Sequence, residues 1–143
     1  MAEPAGWQAM RSVLLLCRSM TAVVDQELKY GFALRLIDFQ ILKQLESTET
    51  GTCLLGAVAR ELFVHATTVS TATERLAERD LVVRRAHPTD RRATLVSITE
   101  EGRTLTDAAT AALAAAQFGL AGLTADQLAA LSCVESYARS ARE

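Results

Sequence analysis

Residues 64–99 read VHATTVSTATERLAERDLVVRRAHPTDRRATLVSIT, and this stretch decides the fold of the chain. Its first half has the spacing of a short helix with small hydroxyl side chains on one face. Two segments rich in β-branched residues follow, and a loop containing Pro88 and Asp90 joins them. Four arginines fall within residues 84–92. A packed core does not need such a cluster of positive charge, whereas binding to a nucleic acid backbone does. The pattern predicts a helix followed by a basic two-stranded hairpin.

The composition is that of one helix-rich domain. The 143 residues are 50% hydrophobic and 5% aromatic and include two prolines, and we expect a single domain over residues 1–143. The three cysteines, Cys17, Cys53 and Cys133, are too few and too scattered for a disulfide framework. Because the sequence shows no signal-peptide pattern and no apolar run of about 18 residues, we expect a cytoplasmic protein with reduced thiols and no membrane partner.

The net charge of −2 argues mildly against a nucleic acid partner, but the charge is unevenly distributed. Residues 84–92 contain four arginines against one aspartate, which gives a local charge of +3. A basic edge on a mildly acidic body is enough to steer a protein toward phosphates. It also implies fewer phosphate contacts than a strongly basic domain makes.

Apolar residues at three- and four-residue steps predict six helices, and two β-branched runs predict two strands. Gly31 is expected to end the first helix, Gly56 to cap the third and Thr99 to cap the fifth, and a capping-box pattern begins the sixth at residues 124–127. The expected helices are 8–29, 36–45, 56–62, 66–79, 100–120 and 124–139, with strands 81–85 and 94–98 and an extended piece at 52–54. This order is that of a winged helix-turn-helix, a mostly α fold with a small β wing.

The predicted helices also indicate which side chains face inward. In the first helix the inward stripe is expected to hold Val13, Leu14, Cys17, Met20, Val24 and Leu28. In the second it is expected to hold Ile37, Ile41, Leu42 and Leu45, and in the fourth Val69, Ala72, Thr73 and Leu76.

The strings around the hairpin resemble the MarR family of bacterial transcriptional regulators. Residues 76–82, LAERDLV, look like the family's passage from the recognition helix into the first wing strand. The DRR of residues 90–92 and the LVSITEEG of residues 95–102 resemble its D-x-R wing signature followed by L-T-x-x-G. The resemblance covers residues 8–140.

The resemblance implies a transcriptional regulator, expected to be a repressor, that binds double-stranded DNA as a homodimer. The N- and C-terminal helices of such a protein, here 8–30 and 100–140, interlock to form the dimer. One winged helix-turn-helix per subunit, here 34–99, binds each half of a pseudo-palindromic operator, and a small molecule, often aromatic, or an oxidant releases the DNA.

Four residues depart from the family's pattern. Phe63 and Asp80 stand where glycine is usual, His65 where serine is common at the cap of the recognition helix, and Ala66 where arginine is often found.

Two groups of polar side chains are the expected DNA contacts. Hydroxyls on the helix can bind phosphates or base edges, whereas a plain solvated face usually carries Glu and Lys. Arginines on the hairpin suit a narrow minor groove; the alternative is a surface ion-pair cluster of little energetic weight. Asp90 is expected to hold the Arg92 guanidinium, as the resemblance implies, and His87 either adds a contact or lies in solvent. The candidate residues are His65, Thr67, Thr68, Ser70, Thr71, Arg75, Arg84, Arg85, His87, Asp90, Arg91 and Arg92.

The effector is expected to be a small apolar or aromatic molecule. Cys17 has only Arg18 as a basic neighbour in sequence, which is too little to activate a thiol, so all three cysteines are expected to lie in the core. The candidates for lining an effector pocket are Cys17, Met20, Phe32, Leu36 and Phe39, and plain core packing is the alternative for each.

The sequence gives little support to other chemistries. Two histidines and three cysteines at unrelated spacings predict no metal site. The absence of a phosphate loop, a nucleophile elbow or paired carboxylates predicts neither an enzyme nor a cofactor. The remaining alternative is a helical protein-interaction module that retains a winged fold without binding DNA.

Overall fold

In the computed structural model, which describes residues 1–142, the chain folds into six α-helices and a three-stranded sheet. A short 3₁₀ turn, Gln117–Gly119, lies between the last two helices. The predicted fold class, mostly α with a small β wing, is confirmed. The helices are α1 (Ala5–Phe32), α2 (Leu36–Glu46), α3 (Leu55–Leu62), α4 (Ala66–Glu78), α5 (Glu100–Ala115) and α6 (Ala125–Ser140), and the strands are β1 (Thr52–Leu54), β2 (Val82–Ala86) and β3 (Thr94–Ile98).

The strands form one antiparallel sheet in the order β1–β3–β2. β2 and β3 are the predicted hairpin, with Val82 opposite Ile98 at its base; we call residues 82–98 the wing. The extended piece at 52–54 is a paired edge strand, since Thr52 lies opposite Ser97 and their hydroxyl oxygens are 2.7 Å apart. This edge strand joins the wing to the start of α3.

The core lies where α2, α4, α5 and the second half of α1 meet the sheet. Leu28 of α1, Val96 of β3 and Leu113 of α5 are at most 1% exposed. Removing one such aliphatic side chain from water contributes about 1.5–3 kcal/mol. The structure buries most of the predicted inward positions of α2 and α4, namely Ile41, Leu42, Leu45, Val69, Ala72, Thr73 and Leu76, while Ile37 is half-buried.

The first half of α1 differs from the prediction. Val24 is buried as expected, but Val13, Leu14 and Cys17 are exposed because nothing else in residues 1–142 packs over them. The expected core location of Cys17 is therefore wrong for the single chain. Cys133 on α6 is also exposed.

Three predicted helix ends also need correction. α1 continues past Gly31 and ends where Ala33 adopts a left-handed φ of 52°. α3 has Leu54 rather than Gly56 as its N-cap. α5 ends at residue 115 instead of 120, because the chain leaves the helix before Phe118, whose φ is 52°.

Helix α4, strand β2 and helix α5 meet at a junction built around Thr99. The Thr99 hydroxyl accepts a hydrogen bond from the Gly102 N–H at 3.0 Å and donates one to the Asp80 carbonyl at 2.6 Å. The Thr99 N–H donates to the Leu81 carbonyl at 3.1 Å. The predicted N-cap of α5 is thus confirmed, and so is the capping box that begins α6.

Gly102 allows this junction to close. A Cβ atom at this position would overlap the backbone carbonyl oxygen of Leu81 and come 2.8 Å from the Ile98 side chain. A helix interior normally favours alanine over glycine by about 1 kcal/mol, so packing here opposes helix propensity. This contact is a physical reason for the glycine at the end of the LVSITEEG string.

Replacing Gly102 with alanine should lower the free energy of unfolding by about 1–3 kcal/mol, because the added methyl group forces the junction apart. Gly31→Ala is the matched control, since Gly31 is also helical but has open space around its Cβ position. The control should leave stability unchanged or raise it by up to about 1 kcal/mol. Urea unfolding at one fixed protein concentration measures both variants. A Gly102→Ala protein as stable as its control would contradict the steric account.

Candidate nucleic-acid interface

Helix α4 presents a row of hydroxyl groups to solvent because its apolar stripe is buried. Val69, Ala72 and Leu76 lie in the core, and the helical repeat turns the intervening residues outward. The exposed residues of this surface, which we call the hydroxyl face, are Thr67, Thr68 and Thr71. His65, the N-cap residue of α4, is exposed beside them and its side chain makes no capping hydrogen bond.

Arg75, a predicted DNA contact, is engaged inside the protein. Its Nη2 atom donates to Oδ1 of Asp38 on α2 at 2.7 Å. Asp38 is only 4% exposed, so this ion pair fixes the distance between α2 and α4. A buried carboxylate needs such a partner, because without one it would retain its full desolvation cost. The first role of Arg75 is to position α4.

Arg84 joins the wing to α4. Its Nη1 atom lies 3.1 Å from the Glu74 carboxylate, and its Nη2 atom donates to the Ser70 hydroxyl at 3.3 Å. The remaining Nε atom is buried with no partner in the described residues. Arg84 is therefore a brace between β2 and α4, and its contacts hold the wing in a defined orientation relative to the hydroxyl face.

The tip of the wing is a hydrogen-bonded turn. The His87 Nδ1 atom accepts from the backbone N–H groups of Thr89 and Asp90, both at 3.2 Å. Oδ1 of Asp90 accepts from the backbone N–H of Arg92 at 3.0 Å. The His87 ring therefore stabilises the turn, and its contact with DNA stays a prediction.

The expected pair between the Asp90 carboxylate and the Arg92 guanidinium is wrong in this structure. The Asp90 carboxylate instead accepts a hydrogen bond from the backbone N–H two residues later, as Asp side chains commonly do in turns. In the described part of the chain, neither Arg91 nor Arg92 makes an ion pair. Both are exposed, as is Arg85, so their charges are free for a partner.

Two basic clefts flank these side chains. One, of about 250 Å³, lies on the wing and is lined by Arg84, Arg85, Ala86, Arg91, Ala93 and Thr94. The other, of about 280 Å³, brings Arg92 together with Arg60 of α3 and with Ala66 at the start of α4. Sequence spacing does not indicate Arg60 as part of the interface, because its position there depends on the pairing of β1 with β3.

The predicted effector-pocket residues are spread over the core boundary. Met20, Phe32, Leu36 and Phe39 are partly buried and pack against the core, while Cys17 is exposed. A cavity of about 790 Å³ near the end of α1 is lined by other residues, namely Asp25, Lys29, Ala33, Leu34 and Arg35.

Reactive and metal-binding groups are sparse around the interface. Burial raises the pKa of the half-buried Cys53 thiol, which disfavours its thiolate. Across residues 1–142, no group of three His, Cys, Asp or Glu side chains could hold a metal ion. Over the same residues, no helix is long and apolar enough to span a membrane.

Comparison with known proteins shows which family the chain resembles. A sequence model of the MarR family matches residues 34–93, from the start of α2 to the wing. The crystal structure of Sco5413, a MarR family transcriptional regulator from Streptomyces coelicolor, is 26% identical, with a TM-score of 0.86 over 97% of this chain and 96% of that one.

The chain is similar to the MarR family from the start of α2 into the wing, and its fold is similar to that of MarR family structures over nearly its whole length. A MarR family regulator from Rhodococcus sp. RHA1 has the same fold, with a TM-score of 0.84 at 22% identity over 96% of both chains. Sco3205 of Streptomyces coelicolor, whose crystal structure is a complex with DNA, aligns with a TM-score of 0.81 at 18% identity over 96% of this chain and 88% of that one. No curated protein sequence matches the chain.

Two substitutions of Asp90 can show whether its hydrogen bond to the Arg92 N–H or its charge holds the wing turn. Asp90→Asn should keep the turn, because an amide oxygen still accepts the Arg92 N–H. Asp90→Ala should make the Arg92 amide exchange with solvent about five- to tenfold faster, as expected for the loss of about 1 kcal/mol. Amide hydrogen exchange followed by NMR measures both variants. Fast exchange in the Asn variant would show instead that the carboxylate charge holds the turn.

Proposed function

We propose that this protein is a MarR-type, sequence-specific regulator of transcription, acting as a repressor, that binds double-stranded DNA as a homodimer. The observation that carries the proposal is the Arg84 brace. It fixes an arginine-bearing wing against the helix that exposes three threonine hydroxyls. One surface therefore combines donors for phosphates with side chains that fit base edges.

The two parts of this surface suit different features of DNA. α4 is the element placed to enter the major groove, where hydroxyls bond to phosphates or bases and threonine methyls pack on thymine. Arg91 and Arg92 are placed to reach the adjacent minor groove, where arginine responds to groove width. α4 contains no Asn or Gln, and its single arginine, Arg75, is paired with Asp38. Much of the specificity is therefore expected to come from DNA shape.

Structures of DNA complexes in this fold support the proposal. Sco3205 was crystallised with DNA, and so was overoxidized AbfR, which aligns with a TM-score of 0.75 at 18% identity. At this identity the likeness extends to the fold. The case for this chain therefore depends on its own residues, above all on the free arginines of the wing.

Exposed apolar side chains support a homodimer. Trp7, Met10 and Leu14 on α1 are between 47% and 50% exposed, and Leu131 and Val134 on α6 are 39% and 56% exposed. Apolar patches of this kind mark interaction surfaces. A two-fold dimer through α1, α5 and α6 would cover them and would place the two α4 helices about 34–36 Å apart, one turn of DNA.

We also propose a small apolar or aromatic effector that releases the DNA. The cavity of about 790 Å³ at the end of α1 is large enough for a small molecule, and Lys29 and Arg35 in its lining suit the carboxylate of an aromatic acid. Arg79, which follows α4, donates to the carbonyls of Phe32 and Ala33 at 3.0 and 2.8 Å. A ligand that shifts this loop would therefore move α4. Thermal-shift screening of aromatic acids and amphiphiles tests for such a ligand.

The near-neutral charge of the chain favours a second candidate function, a winged interaction module without DNA binding. A gel-shift titration against the DNA upstream of its own gene separates the two. Retardation at micromolar protein and low salt supports the regulator, and its absence supports the interaction module.

Arg91→Ala and Arg92→Ala should each weaken binding to every duplex tested. The slope of log K against log salt should fall by about 0.9 for each phosphate that the protein no longer neutralises, or about 1.8 when this happens in both subunits. Thr71→Ala should instead change the ranking of variant operators, because it removes a base-facing group. Fluorescence anisotropy over a salt series measures all three. Arginine variants with wild-type affinity and slope would contradict the wing's role.

Light scattering should give a mass near twice 15.4 kDa at micromolar concentration. A charge at the proposed interface, Leu14→Glu or Leu131→Glu, should shift the mass toward that of a monomer, because an ionised carboxylate is costly to bury without a partner. Val83→Glu is the control, since Val83 is 46% exposed but lies on the wing. A wild-type monomer, or a control as disruptive as the other two, would contradict this dimer.

A further inference from the structure

We propose that a cleft between the hydroxyl face and the start of α2 binds a backbone phosphate of the same DNA, with Arg35 as its phosphate-binding residue. The inference rests on the proposed function and adds to the interface a part of α2 that the sequence did not indicate. The cleft encloses about 340 Å³ between the start of α2 and α4; we call it the Arg35 cleft. It is lined by Arg35, Ile37, Thr67, Thr68, Thr71 and Arg75.

The lining of the Arg35 cleft has the chemistry of an anion site. Two guanidinium groups and the hydroxyls of Thr67 and Thr68 supply hydrogen-bond donors. Thr71 is the base-facing member of the lining, and Ile37 is the apolar one. Guanidinium groups match the geometry of phosphate oxygens, and hydroxyls donate to the same atoms. Among residues 1–142, no carboxylate lines the cleft, so none of these side chains in its wall repels a phosphodiester.

Asp38 accepts hydrogen bonds from both arginines of the cleft, Arg35 and Arg75. Its Oδ2 atom accepts from the Arg35 backbone N–H at 3.0 Å, and its Oδ1 atom accepts from Arg75 Nη2 at 2.7 Å. One buried carboxylate thus holds the start of α2 and the Arg75 guanidinium in a fixed relation to each other. With two arginines and one aspartate, the group carries a net charge of +1 and is complementary to one phosphate.

Arg35 and Arg75 have different parts in this site. Arg75 is held by Asp38 and partly neutralised by it, so it is a positioned donor. Arg35 is exposed, and in the described residues its guanidinium makes no ion pair. Its charge is therefore the one that DNA would neutralise on binding.

The Arg35 cleft and the wing lie on two sides of α4. Ser70 and Glu74 bond to Arg84 of the wing, whereas Thr71 and Arg75, the next residue along in each turn, line the cleft. One residue is a rotation of about 100° around a helix. A duplex seated on the hydroxyl face would thus meet cationic groups on both flanks of the recognition helix.

The test measures how Arg35→Ala changes the salt dependence of DNA binding. The full-length protein is titrated by fluorescence anisotropy against the operator duplex and against a random duplex of equal length, over a salt series. Arg35→Lys keeps the charge. Lys43→Ala is the matched control, because Lys43 is a cation on α2, whose N-cap is Arg35, and is already paired with Glu46 at 2.9 Å. Circular dichroism and light scattering verify that every variant folds and assembles as the wild type does.

Arg35→Ala should lower the salt slope by about 0.9 per subunit and weaken both duplexes by the same factor. Arg35→Lys should retain most of the wild-type slope, and Lys43→Ala all of it. A wild-type slope in Arg35→Ala, or an equal loss in Lys43→Ala, overturns the inference while the proposed function stands. Wild-type protein that binds neither duplex defeats the proposed function itself.

Discussion

Burial of the apolar stripe of α4 is the constraint on which the interface depends. Val69, Ala72 and Leu76 must leave water, and a helix that buries them can only turn Thr67, Thr68 and Thr71 outward. The hydrophobic effect thus decides which side chains meet a partner. Since each buried aliphatic group contributes about 1.5–3 kcal/mol, the rotation of α4 is fixed far more firmly than any exposed hydroxyl could fix it.

Arginines then hold α4 in place from three directions. Arg75 bonds to Asp38 on α2, Arg84 joins the wing to Ser70 and Glu74, and Arg79 bonds to the loop after α1. Arginine suits this work because its planar group makes several directed hydrogen bonds at once. The arginines left over, on the wing and at the start of α2, carry the free charge. Some arginines thus position α4, and others keep their charge available for DNA.

Local sequence signals predicted most of the fold. Thr99, the hydroxyl cap before two glutamates, marked the start of α5, and the spacing of Val69, Ala72 and Leu76 predicted the buried face of α4. Phe63 and Asp80, which stand where the resemblance leads one to expect glycine, both adopt a left-handed φ, 57° and 58°. Two residues with side chains thus adopt a conformation that favours glycine, at a cost in backbone strain.

The roles of the arginines could not be predicted in the same way. Arg75 and Asp38 are 37 residues apart, so no local pattern shows that they pair, and Arg35 gains its place only from the packing of α2 against α4. The prediction of inward-facing residues in the first half of α1 failed for another reason. Sequence shows that Val13 and Leu14 are apolar, but it does not show whether the same chain or a second copy covers them.

In the proposed complex, α4 and the wing of two subunits bind one duplex together. Hydroxyl-radical footprinting of the full-length protein on its upstream DNA tests this arrangement. We expect two protected stretches whose centres lie about 10–10.5 base pairs apart, one for each α4 helix. Protection of a single half-site, or none at micromolar protein and low salt, would contradict it.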